Sequence, residues 1–223
     1  MNRKVLGVQG LSLCLGFLLL VWENPARGAE ESRTWRAVQE QAKAIGEPKA
    51  LWKELKKLTP TELLECCNSC AQEALDAGVD STSVIIPINA MLSYHTDKAG
   101  WEATATAVGK IIAESDNPYL AYGALEWIEN NNHWQSIPPE GFRAIAAGML
   151  AVLENHEKEP GVFRVVLNKC GSEDIIGHFP TDCLARISAL CSELLRDAQD
   201  DAIRREAQFG LRALERIAEN RDE

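Results

Sequence analysis

The stretch DDAIRREAQFGLRALERIA, residues 200–218, decides the fold class. Ile203, Ala207, Leu211, Leu214 and Ala218 recur at intervals of three and four, which lines them along one side of an α-helix. Arg204, Arg205, Glu206, Arg212, Glu215 and Arg216 fall on the other side. Acid precedes base at four-residue spacing, as in Asp200 with Arg204, an order that gives an exposed helix modest support. The apolar stripe reads as core, and the charged side as the solvated outer face of a terminal unit.

Working outward, the same period fills nearly every segment, while strict alternation over five or more residues is scarce. Cys183, Ile187, Leu190 and Leu194 form the preceding stripe. Pro160 opens a short helix with Phe163, Val166, Leu167 and Cys170, stopped by Gly171, and Pro138–Pro139 opens one with Phe142, Ile145, Ala146, Met149 and Val152. Asn117–Pro118 starts a helix carrying Ala121, Leu125 and Ile128, preceded by a stripe of Trp101, Ala105, Val108 and Ile112. Thr59-Pro60-Thr61-Glu62 has the form of a capping box, predicting a helix from about 60 to 77 that closes at Gly78. Its buried stripe is Leu63, Cys67, Cys70 and Ala74, with Leu64, Ala71 and Leu75 beside it. From Ser83 onward Val84, Ile85 and Ile86 favour strand locally, but Pro87 suits the first turn of a helix running through Met91 and Leu92. Trp35, Val38, Ala42 and Ile45, then Leu51, Leu55 and Leu58 after Pro48, open the series.

Helix starts near 60, 83, 98, 117, 138, 160, 180 and 200 are separated by roughly twenty residues, so a two-helix unit repeats at about forty. In this the chain resembles the HEAT and armadillo class of helical repeats. The segments Asp116-Asn117-Pro118-Tyr119-Leu120-Ala121 and Asp201-Ala202-Ile203-Arg204-Arg205-Glu206-Ala207 look like second-helix starts, an acidic or amide cap leading into an alanine where helices approach closely. The resemblance implies an all-α, right-handed stack of antiparallel helical hairpins, a HEAT-like α-solenoid, in which each unit buries its face against the next. An irregular helical bundle is the alternative architecture. The fixed positions of a 34-residue tetratricopeptide period do not align.

Residues 1–28 have the layout of an export signal. Arg3 and Lys4 precede an almost uncharged run from Val5 to Trp22, and Ala26-Arg27-Gly28 offers small residues where a signal peptidase needs them. Cleavage after Gly28 would leave one domain, residues 29–223, with 20 basic and 32 acidic side chains. An uncleaved membrane anchor is the competing expectation, because 18 helical residues reach roughly 27 Å. Cleavage implies a secreted or periplasmic location, and a membrane is an expected partner only if the segment stays uncleaved. The acidic balance repels phosphate backbones, so nucleic acid is not an expected partner.

Six cysteines remain beyond residue 28: Cys66, Cys67, Cys70, Cys170, Cys183 and Cys191. Cys67, Cys70, Cys170, Cys183 and Cys191 read as small apolar fillers. Long-range disulfides are a second possibility in an oxidising compartment, for instance from the Cys170 turn to the following helix. A metal or redox site at Cys66, Cys67 and Cys70 is a third. The other segment with functional character is Glu129-Asn130-Asn131-Asn132-His133-Trp134-Gln135-Ser136, where His133 and Trp134 could form a binding platform. Its bland reading is a helix end with one asparagine in the left-handed conformation and Trp134 folded back onto Trp127 or Phe142. The four histidines (His95, His133, His156, His178) stand in no zinc spacing, and no nucleophile elbow or phosphate loop occurs. The expectation is an exported, non-enzymatic scaffold without cofactor that holds a protein or peptide, with an exported thiol or metal-handling protein centred on Cys66, Cys67 and Cys70 as the alternative.

Overall fold

A computed structural model describes residues 35–45, 49–77, 82–155 and 158–221. Residues 1–28, and Pro48, Gly78 and His156 with them, lie outside the described residues. Among the described residues the chain is all-α: α1 (Trp35–Ile45), α2 (Ala50–Leu55), α3 (Pro60–Ala77), α4 (Thr82–Ala99), α5 (Trp101–Glu114), α6 (Pro118–Glu129), a 3-10 turn (Asn130–Ser136), α7 (Pro139–Leu153), α8 (Pro160–Lys169), α9 (Glu173–Ile176), α10 (Thr181–Asp197) and α11 (Asp201–Arg221). None of these helices is long and apolar enough to cross a membrane.

Local chemistry sets the starts. Thr59 and Glu62 exchange the two bonds of a capping box, Thr59 N–H to Glu62 Oε2 at 2.6 Å and Glu62 N–H to Thr59 Oγ1 at 3.4 Å. Asn117 Oδ1 accepts the Tyr119 amide at 2.9 Å, Glu159 Oε2 that of Val162 at 2.8 Å, and Asp200 Oδ1 that of Ala202 at 2.7 Å. Each bond satisfies an amide that has no partner inside its own helix. Between α4 and α5 the chain reverses on Gly100 alone, with φ at 87° and ψ at 172°, a conformation almost confined to glycine that costs a residue with Cβ about 1–3 kcal/mol.

Packing joins alternate helices in two series. Along one, α4 touches α6, α6 touches α8 and α8 touches α11; along the other, α5 touches α7 and α7 touches α10. Sequential neighbours connect the series, among them α4 with α5 and α10 with α11. The buried side chains form one continuous core from Trp35 to Ile217. The closest approach is the crossing of α5 and α7. A Cβ built on Gly148 would stand 2.1 Å from the Gly109 carbonyl oxygen, and one on Gly109 would stand 2.3 Å from that of Ala144. Only glycine lets the two backbones meet there.

Several expectations from the sequence need correction. Pro87 lies inside α4 rather than in its first turn, because the Val84-Ile85-Ile86 run is helical, with Val84 buried in the core. Tertiary burial thus overrides the β-preference of that run. Leu75 and Ile45 are nearly half exposed (45% and 44%), and Ala218 is exposed, so these three positions fall off the buried stripes. Asp200 does not pair with Arg204. Its carboxylate caps α11 and binds Arg164 at 2.5 Å, leaving Arg204 to Asp201 and to the Ala198 carbonyl. The charged side of α11 is also not wholly free: Arg216 reaches Glu173 at 2.6 Å and Glu206 accepts from Asn168 at 2.8 Å.

Candidate functional site

The segment after α6 winds into the 3-10 turn through Asn132, whose φ of 56° is the left-handed residue expected among the three asparagines. That kink sends His133 and Trp134 to different surroundings. His133 turns inward. Its Nδ1–H donates to the Trp127 carbonyl at 2.8 Å, and its ring lies 4.9 Å from that of Trp127 and 5.3 Å from that of Trp101. Because the carbonyl can only accept, Nδ1 carries the proton. Burial lowers the pKa of His133, with the Trp127 carbonyl opposing. His133 therefore occupies the place against Trp127 that the bland reading gave to Trp134.

Trp134 instead stacks on His178, centroids 4.8 Å apart and planes 21° apart. His178 also stacks on Phe142, at 4.9 Å and 26°. The three rings, contributed by the 3-10 turn, the loop after α9 and α7, wall a surface recess of about 490 Å³ together with Gln135, Ile137 and Pro139. Partial burial against its neighbours lowers the pKa of His178; Asp174 opposes this and Arg221 reinforces it. At neutral pH the recess thus presents an uncharged imidazole between two aromatic faces, with the Gln135 amide at its edge. Phe142 was assigned to the core by its spacing, and the sequence carried no signal for His178, which is distant along the chain.

A second assembly, absent from the sequence reading, joins α6 to the end of α8. Lys169, only 8% exposed, donates to Glu126 and to Glu129 (2.5 Å), and lies 5.3 Å from the centre of the Tyr122 ring. Ser172 donates to the other Glu129 oxygen at 2.5 Å. Burial favours the neutral amine of Lys169, but hydrogen bonds and charge from the two glutamates outweigh it and raise its pKa. Burial likewise works against the Glu126 carboxylate, yet bonds from Lys169 and Tyr122 hold its pKa below the ordinary value. Tyr122 is raised by burial and by Glu126. An ammonium stabilised in its charged form is a poor base and a poor nucleophile, so this constellation ties helices together. The i, i+4, i+7 spacing of Tyr122, Glu126 and Glu129 was visible; its distant partner Lys169 was not.

Cys66, Cys67 and Cys70 are all fully or almost fully buried within α3. Burial pushes the Cys67 thiol well above its usual pKa, with Cys66 and Cys70 adding to the effect, and pushes Cys70 up to about 12, with Glu73 and Cys66 contributing. Reactive cysteines sit exposed at helix N-termini or beside cations, where the thiolate is favoured. These lie mid-helix in apolar surroundings. Among the described residues no group of three or more Cys, His, Asp or Glu side chains is placed to hold a metal.

No protein-family model, curated protein or solved structure matches the chain.

Proposed function

We propose that the chain is an exported helical-repeat scaffold that holds a protein or peptide segment, with the recess walled by Trp134, Phe142 and His178 as its anchoring point. The observation that carries this reading is the stacked trio itself. Aromatic side chains in concave, partly exposed positions are frequent anchors of protein recognition, and here Trp134 and the exposed His178 are backed by the buried Phe142, so their rotamers are set by stacking rather than left free. The scaffold part of the reading draws support from the contacts between alternate helices, a pattern that stacked hairpins would produce. Export is supported by the basic start, apolar run and small-residue boundary of residues 1–28. An acidic chain favours a basic segment as occupant, because complementary charge speeds encounter.

The test is a peptide array of basic, neutral and acidic segments bearing aromatic or aliphatic anchors, probed with the mature chain and with Trp134→Ala. Selected basic segments should bind, and the substitution should weaken them at least tenfold, the loss of about 1.4 kcal/mol or more that marks an anchor. Binding unchanged in Trp134→Ala would move the site elsewhere. Intact-mass measurement of the expressed protein checks export separately, with a chain beginning at Ala29 as the expected product.

A further inference from the structure

Cys170 and Cys191 are 21 positions apart in the sequence and meet under α11. Cys170 closes α8, Cys191 lies in the middle of α10, and both are fully buried. Gly210 of α11 covers them: a Cβ built there would stand 3.3 Å from Cys170 Cβ and 3.3 Å from Cys191 Sγ. The Cys170 thiol donates to the Val166 carbonyl at 3.4 Å, and its Cβ and the Cys191 sulfur converge on the same point beneath Gly210. Both are free thiols in the structure. The other candidate pairings are poorer. Cys183 precedes Cys191 by eight residues on one helix, about 12 Å of rise, beyond what a disulfide spans. Cys66, Cys67 and Cys70 share α3, far along the chain from this pair.

We propose that Cys170 and Cys191 are a disulfide site, closing a covalent staple between the end of α8 and the middle of α10. The oxidant is a disulfide of low molecular weight, such as glutathione disulfide. One protein thiolate attacks a glutathione sulfur and expels the first glutathione thiolate, giving a mixed disulfide. The second protein thiolate then attacks the protein sulfur of that bond and expels the second glutathione. Two protein thiols lose two protons and two electrons, and one glutathione disulfide becomes two glutathiones. Since α11 covers both sulfurs, the exchange takes place during folding, before α11 docks, or when α11 opens. Gly210 leaves the room the bonded sulfurs need. The proposal depends on the contact alone and holds whether or not the chain is exported.

The experiment refolds the full reduced chain in an equimolar buffer of reduced and oxidised glutathione, blocks remaining thiols with an alkylating reagent, and counts them by mass. The expected result is the loss of two thiols. Trypsin should release residues 170–186 joined to residues 187–196. Because the first of these peptides also holds Cys183, the assignment is made by fragmentation and by Cys183→Ala, which should leave the link intact, whereas Cys170→Ala and Cys191→Ala should each abolish it. Reduction of the linked protein should lower its melting temperature. Retention of all thiols, or a link that involves Cys183, Cys66, Cys67 or Cys70 instead, would overturn the proposal. Peptide mapping of the wild-type chain decides the question even where a variant fails to fold.

Discussion

The contacts of α5 with α7 and of α6 with α8 both join alternate helices, yet they are built from opposite materials. The first brings two backbones together over Gly109 and Gly148, with no polar side chain needed. The second is held by Lys169 between Glu126 and Glu129, over the Tyr122 ring. Shape complementarity is indifferent to salt and pH but has no tolerance for added volume. Charge complementarity tolerates small shifts in spacing but depends on both partners staying ionised, and removing one leaves the others desolvated. The same stacking problem is thus solved in ways that different perturbations break.

The largest effect is expected from Gly148→Ala. Its methyl would have to enter the space of the Gly109 carbonyl oxygen, which belongs to backbone and cannot swing aside as a flexible side chain would. A loss of about 3 kcal/mol, the upper end of overpacking, is expected in urea melts, with no dependence on ionic strength. Wild-type stability in that variant would mean the helices cross elsewhere. Lys169→Ala should cost somewhat less, about 2 kcal/mol, because the glutamates it abandons remain about a quarter exposed and water can replace part of what is lost. The discriminating variant is Lys169→Ala combined with Glu126→Gln and Glu129→Gln. Recovery of part of the loss would show that abandoned charge, rather than missing volume, does the damage; no recovery would count against the electrostatic account of this contact.

pH should leave the α5–α7 crossing untouched and act instead on buried histidines elsewhere and on the Lys169 contact, from opposite sides. His95 is buried and makes a 2.9 Å bond from Nδ1 to Thr104 Oγ1 on α5, while that hydroxyl donates to the Gly100 carbonyl. Burial lowers the pKa of His95, and burial is also the leading cause for His133 and His178. A histidine with a depressed folded-state pKa stabilises the fold fully above its unfolded value near 6.5, and this contribution fades as pH falls below that value toward the folded one. Stability should therefore decline below about pH 6.5, by at most about 1.4 kcal/mol per pH unit for each histidine. His95→Gln should remove part of the slope. Lys169 behaves in the opposite sense: its raised pKa supplies stability present below its unfolded value near 10.5, which is lost as pH rises through the folded value. Denaturant melts across both ranges, on wild type and Lys169→Ala, should show the alkaline loss reduced in the variant. A flat acid limb would refute the histidine account.

The comparison also shows what a sequence can carry. Helix starts were legible to within about three residues, because Thr59, Asn117, Asp200 and the prolines act on amides one to three positions away. The left-handed asparagine was legible for the same local reason. The tertiary contacts were not. Gly109, Gly148 and Lys169 drew no notice in the sequence, and their roles follow only from the backbone that each glycine meets and from Glu126 and Glu129 beside the ammonium. At the candidate site, His133 and Trp134 were named from loop position and Phe142 only as core, and the imidazole that joins Trp134 to Phe142 comes from residue 178. Spacing reports which face a residue takes, and only the fold reports what meets that face.

The smallest expected effect tests whether the α5–α7 crossing depends on how α5 begins. Gly100 has nothing within 4 Å of a built Cβ, so Gly100→Ala meets no steric obstacle, the reverse of Gly148. What it meets is its own backbone, since φ at 87° places the Cβ against the neighbouring carbonyl. The cost should be about 1 kcal/mol, the lower end for such backbone, and Gly100→Asn should cost about as much, because ψ at 172° lies outside the left-handed helical region that asparagine tolerates. If the turn and the crossing act independently, the double variant Gly100→Ala, Gly148→Ala should lose the sum of the single losses to within about 0.5 kcal/mol. A smaller combined loss would show that relaxing the turn lets α5 slide away from α7. In that case the single-residue reversal at Gly100 would be part of what holds the two backbones in contact, and the α5–α7 contact would owe its position to the turn as well as to its glycines.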